Sequence, residues 1–155
     1  MALNQNQLAQ TPVQGMIDLT VGPANVIACQ VKSDESAALI PGQGVMIVDS
    51  IDGVPKVTAV GDDDDQLFGF VLYNQKDQDF PAGAPVEIAF FRGTVMLMTA
   101  GAAIARGAQV MVVVSTKKVI TATTNKRIAG IALDKATADT QLIRVLIDLP
   151  GGLAA

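Results

Sequence analysis

The chain has 155 residues, half of them hydrophobic and only 17% charged, with a net charge of −4. That length suits one ordinary domain with its own core, and the acidic balance excludes nucleic-acid binding through a basic face. Cys29 is the single cysteine and there is no histidine, which excludes an intrachain disulfide, ordinary zinc spacings and the commonest general base.

Residues 1–24 read as an N-terminal docking arm. The opening Met1 to Gln10 is amide-rich and lacks the basic and apolar regions of a secretory signal. Thr11-Pro12, Gly15 and Gly22-Pro23 block a long helix, yet Leu3, Leu8, Val13, Met16, Ile17 and Leu19 are spaced through the segment. A solvated tail would hold fewer apolar residues. An extended segment of this kind can pair with a strand edge and set alternate side chains into pockets.

Residues 25–150 read as a β domain. Short Val-, Ile- and Thr-rich runs are predicted as strands at 25–31, 45–49, 57–60, 67–73, 85–91, 94–99, 109–114, 119–123, 128–134 and 141–149. Turn signals separate them, among them Pro41-Gly42, Asp52-Gly53, Gly61-Asp62, Arg92-Gly93 and Arg106-Gly107. Thr99 to Ala105 is the best candidate for a helical turn, weakened by Gly101. Residues 151–155 are expected to form a flexible C-terminus. Regularly spaced short strands indicate an all-β fold, a small β-barrel or β-sandwich.

An internal repeat runs through the domain at an offset of about 60 residues. Ile40 to Met46 resembles Ile104 to Met111, Lys56-Val57 resembles Lys118-Val119, and Phe68 to Leu72 resembles Ala129 to Leu133. Val86-Glu87-Ile88 resembles Val145-Leu146-Ile147. Two quasi-repeated halves are therefore expected, packed as parts of one barrel.

Catalytic patterns are missing. None of the four serines lies in a G-x-S-x-G elbow, Gly42-Gln43-Gly44 lacks the third glycine of a dinucleotide fingerprint, and there is no P-loop. The run Asp62 to Asp65 does not match the alternating spacing of a calcium loop and reads as a solvated, self-repelling turn. Lys117-Lys118 at a hairpin tip resembles lipoyl-type carrier domains only in architecture, without the acidic residue before the lysine. Cys29, in an apolar run, reads as a buried inert thiol. The chain is expected not to be an enzyme and to need no cofactor and no metal.

The strand Val95-Met96-Leu97-Met98 is apolar on both faces. Such a strand is either central in the fold or covered by a partner. Candidate partner or subunit contacts are Leu8, Val13, Met16, Ile17, Leu19, Met96 and Met98. The low charged fraction, against about 25% in a typical domain, also favours protein contacts.

The ordered set of elements resembles the structural cement, or capsid decoration, proteins of tailed bacteriophages. It comprises Gly15-Met16-Ile17-Asp18 in a Gln/Pro/Gly arm, Ile40 to Met46, Phe68 to Leu72 and Phe80-Pro81-Ala82-Gly83-Ala84-Pro85-Val86. Gly93-Thr94-Val95, Ile104 to Gly107 and Ala129 to Ala132 follow. The resemblance spans Gln10 to Leu149; the Asp62 to Asp65 run departs from it. It implies a β domain on the outer surface of a capsid, bound to the major capsid protein and holding capsomers together. It also implies a homo-oligomer, with a trimer favoured over a dimer, on a virion assembled in the host cytoplasm without nucleic-acid or membrane contact. The alternative is a tail, spike or fibre component binding another virion protein or a host glycan, which the absence of Trp and the single Tyr73 disfavour.

Overall fold

The computed structural model describes residues 12–18, 24–48, 53–63, 65–76 and 78–155. Leu8, Leu19 and Asp64 lie outside the described residues. The first half contains β1 (Val26–Val31), β2 (Gly44–Val48), β3 (Lys56–Ala59), β4 (Gly69–Val71) and β5 (Pro85–Phe90). The second contains β6 (Arg92–Thr99), β7 (Gln109–Val113), β8 (Lys118–Thr121), β9 (Gly130–Ala132) and β10 (Leu142–Asp148). The fold is all-β, and each strand overlaps a predicted one. The helical turn expected at 99–105 is absent, because Ala100 and Ile104 form β-bridges to Val119 and Ala136.

The halves are repeats, but they do not share one barrel. β1 to β5 close on themselves in the order β1-β3-β2-β4-β5, with β5 returning to β1. β6 to β10 form a five-stranded sheet in the order β6-β10-β9-β7-β8. Its two ends are tied by the parallel Ala100↔Val119 bridge. This bridge is the counterpart of the parallel Val31↔Val57 pair in the first half. Lys32 N–H donates to Val57 O at 2.9 Å, and Gly101 N–H donates to Val119 O at 2.8 Å.

Register refines the sequence match. Val45 pairs with Gly69 as Val110 pairs with Gly130. Val71 pairs with Ile88, and Ala132 pairs with Val145. Ile88 therefore corresponds to Val145, not Ile147. The sequence comparison slipped β5 against β10 by two residues, a slip that keeps every side chain on its own face and so leaves the apolar pattern unchanged. The backbone leaves no room for a side chain at two equivalent points. A Cβ on Gly69 would collide with the Ala89 carbonyl, and one on Gly130 with the Leu146 carbonyl.

Two cores result. Cys29, Val31, Val45, Val57, Val71 and Ile88 fill the barrel. The larger core joins Phe70, Leu67 and Ala89 of the first half to Met96, Val110, Ile143 and Ile147 of the second. Burial pushes the Cys29 thiol pKa up, in keeping with an inert thiol.

Candidate interface surfaces

The described part of the arm is bound within the chain. Gly15 N–H donates to Leu97 O, Leu97 N–H to Met16 O and Asp18 N–H to Val95 O, each at 2.8 Å. Residues 15–18 thus add to the β6 edge, with Ile17 opposite Met96 and packed against the larger core. The same segment reaches the other half. Tyr73 N–H donates to Gly15 O at 3.0 Å, and the Gln14 amide bonds both Pro41 O and Lys117 O at 3.0 and 3.3 Å. Gly15 has φ 85°, and a Cβ there would press on Pro41 and Gly42. The mode expected of the arm, strand addition, is present, but between 15 and 18 its edge belongs to the same chain. Val13, Met16 and Ile17 are half-buried there.

Met96 and Met98 are corrected as contact candidates. Both are buried in the larger core. β10 covers one edge of β6 and residues 15–18 the other, so the two-faced apolar pattern marks a strand central to the fold.

The C-terminal residues are likewise not a loose tail. Ile128 N–H donates to Gly152 O and Ala154 N–H to Lys126 O, both at 2.9 Å. Leu153 bridges Arg127, and Ala154 is buried.

Asp63 and Asp65 of the aspartate run are held by backbone amides, and Asp63 links the run to the second half. The Asp65 carboxylate accepts from the Gly61 and Asp62 amides, both at 2.9 Å. The Asp63 carboxylate accepts from Val114 N–H of the second half at 2.8 Å. Among the described residues, no cluster of three or more acidic or cysteine side chains could hold a metal. Two acidic residues of the second half are also paired. Lys118 bonds Asp139 at 2.7 Å, which lowers the Asp139 pKa. Arg144 grips Asp134 through two hydrogen bonds of 2.8 Å, holding the Asp134 carboxyl pKa down to about 2.

One apolar surface feature among the described residues was not predicted. A groove of about 460 Å³ runs along the junction of the halves. Leu67 and Leu149 form its floor, and Phe68 stacks on Phe90 with ring centroids 5.8 Å apart. Met46, Ile47, Gln66, Phe91 and Pro150 also line it, and none of the described lining residues is charged. Ile47 and Phe91 are 51% and 54% exposed. Phe91 also has φ 64°, a left-handed conformation that a bulky residue adopts only under constraint. The constraint is the one-residue link between β5 and β6. A sequence signal existed: Phe90-Phe91 before Arg92-Gly93 puts two large apolar residues on opposite faces of a strand end.

The family model described as phage cement protein matches residues 17–147. The chain belongs to the phage cement protein family. No curated protein matches it. Among solved structures, the head fiber gp8.5 N base of bacteriophage phi29 is similar in fold, with a TM-score of 0.55 at 12% identity, covering 86% of this chain and all of that one. The cement family match takes in both halves and begins at Ile17, the anchor of the arm on β6.

Proposed function

We propose that the protein is a capsid decoration protein that binds the outer surface of a phage head and stabilises contacts between capsomers. The observation that carries this reading is the cement-family match across both halves. The groove supports it, since an uncharged surface with exposed Ile47 and Phe91 is what a protein partner would cover. Its partner is the major capsid protein, and its place is the virion, reached by assembly in the host cytoplasm. It works by contact area, without catalysis, cofactor, nucleic acid or membrane. Copies associate with one another, as trimers ahead of dimers. The low charged fraction supports that association; the β6 methionines no longer do.

Residues 1–11 and 19–24 remain the arm's part in docking, with Leu8 and Leu19 as its anchors. Co-sedimentation with empty shells of the cognate phage tests the function. Saturable binding at a fixed ratio to the capsid protein is expected. Binding to host cells, with none to shells, would instead support the tail, spike or fibre role.

A further inference from the structure

The two halves differ in one slot. In the second half, residues 152–154 lie alongside 126–128. Ile128 N–H donates to Gly152 O, and Lys126 O accepts from Ala154 N–H. The equivalent backbone in the first half follows from the register. Ala129 N–H donates to Val110 O as Phe68 N–H donates to Val45 O, both at 2.8 Å. Leu67 therefore corresponds to Ile128, and Asp65 to Lys126. Among the described residues, nothing accepts from Leu67 N–H and nothing donates to Asp65 O. The chain cannot fill this slot as it does in the second half, because it turns away at Phe91 to start β6.

We infer that the groove beside residues 65–67 seats an extended, uncharged segment of the head shell protein, added as a strand where the second half carries its own C-terminal residues. This rests on the proposed function. The occupant's chemistry is read from its counterpart. Residues 151–154 are Gly-Gly-Leu-Ala, and a Cβ on Gly151 would collide with the Ile128 carbonyl, so small residues near the edge and an aliphatic anchor are required. The uncharged lining asks the same of the partner. A second copy is the poorer donor, because its described extended segments, 15–18 and 152–154, are already paired within their own chain.

Two variants test the groove. Ile47→Lys places a charge in it. Phe91→Gly removes the exposed ring and also relieves the positive φ, so it should fold at least as well as the parent. Both are expected to bind empty shells roughly tenfold or more weakly, a loss typical of a buried interface anchor. Deuterium exchange across 65–68 is expected to slow when the parent protein binds shells. Parent-strength binding by both variants, with unchanged exchange, overturns the groove while leaving the decoration function standing. Failure of the parent itself to bind shells overturns both. A parent oligomer that dissociates in both variants, by light scattering, assigns the groove to a second copy and overturns the shell occupant.

Discussion

The two halves of this protein solve the same problem with different closures. The first half seals its barrel by a parallel pair of β1 with β3, and among the described residues no strand pairs with the backbone at 65–67. The second half closes by a single bridge, and borrows residues 15–18 on one side and 152–154 on another. The halves thus share a topology, but the second is finished by both ends of the described chain, while no described residue fills the matching apolar slot of the first. Where a repeat is complete in one copy and incomplete in the other, the incomplete copy points to the partner.

Substitutions and deletions in the two halves probe this contrast. The largest effect is expected at the equivalent glycines. Gly69→Ala and Gly130→Ala each push a methyl into a strand carbonyl and should cost about 3 kcal/mol of unfolding free energy, readable by urea denaturation. Similar losses support the equivalence of the halves; a large loss at one position alone breaks it. Next come the borrowed ends. Deleting residues 1–20 removes the three hydrogen bonds to β6, the Gln14 contacts and the Ile17 packing, for a loss of about 3 kcal/mol. Deleting residues 1–11 leaves these contacts in place and separates them from any effect of shortening the chain. Deleting residues 151–155 should cost about 2 kcal/mol, where a loose tail would cost nothing.

A smaller, pH-dependent effect belongs to the second half. The Asp134 pKa is about 2 in the folded protein, against 3.8 as its ordinary value. Its contribution is fully present above that ordinary value and is lost as the pH falls through about 2. Asp134→Asn should therefore cost about 1 kcal/mol at neutral pH, after solvent screening of this partly exposed pair, and flatten the acid limb of the stability profile. The smallest change is expected at Thr140, which has φ 70° where its counterpart Gly83 has φ 77°. Both donate to equivalent carbonyls, Thr140 to Ala100 and Gly83 to Val31. Thr140→Gly should stabilise the protein by about 0.5 kcal/mol, as relief of strain exceeds the added entropy of the unfolded chain.

The strands were legible because each couples an apolar β-branched run to a turn residue, as in Gly42 before β2 and Gly107 before β7. Repetition was legible from the same glycines. Closure was not, because pairing across a barrel leaves no local mark: nothing in Ala100 or Val119 announces that they meet. Met96 and Met98 were misplaced for a related reason, since a two-faced apolar strand looks the same whether its cover is a partner or residues 15–18. Asp62, Asp63 and Asp65 hid their use as well, because their carboxylates accept from backbone amides, and amides have no sequence signature. Of the candidate surface, the groove depends on Phe91 being turned outward by a one-residue link, which only the assembled halves reveal.

The role proposed for this cement-family protein is reinforcement of the head. It is tested most directly by heating DNA-filled heads of the cognate phage, stripped of the protein and then saturated with it again, while following DNA release. Release is expected at a temperature several degrees higher with the protein bound, and no such gain is expected with Ile47→Lys. Full occupancy of the heads with an unchanged release temperature would contradict it.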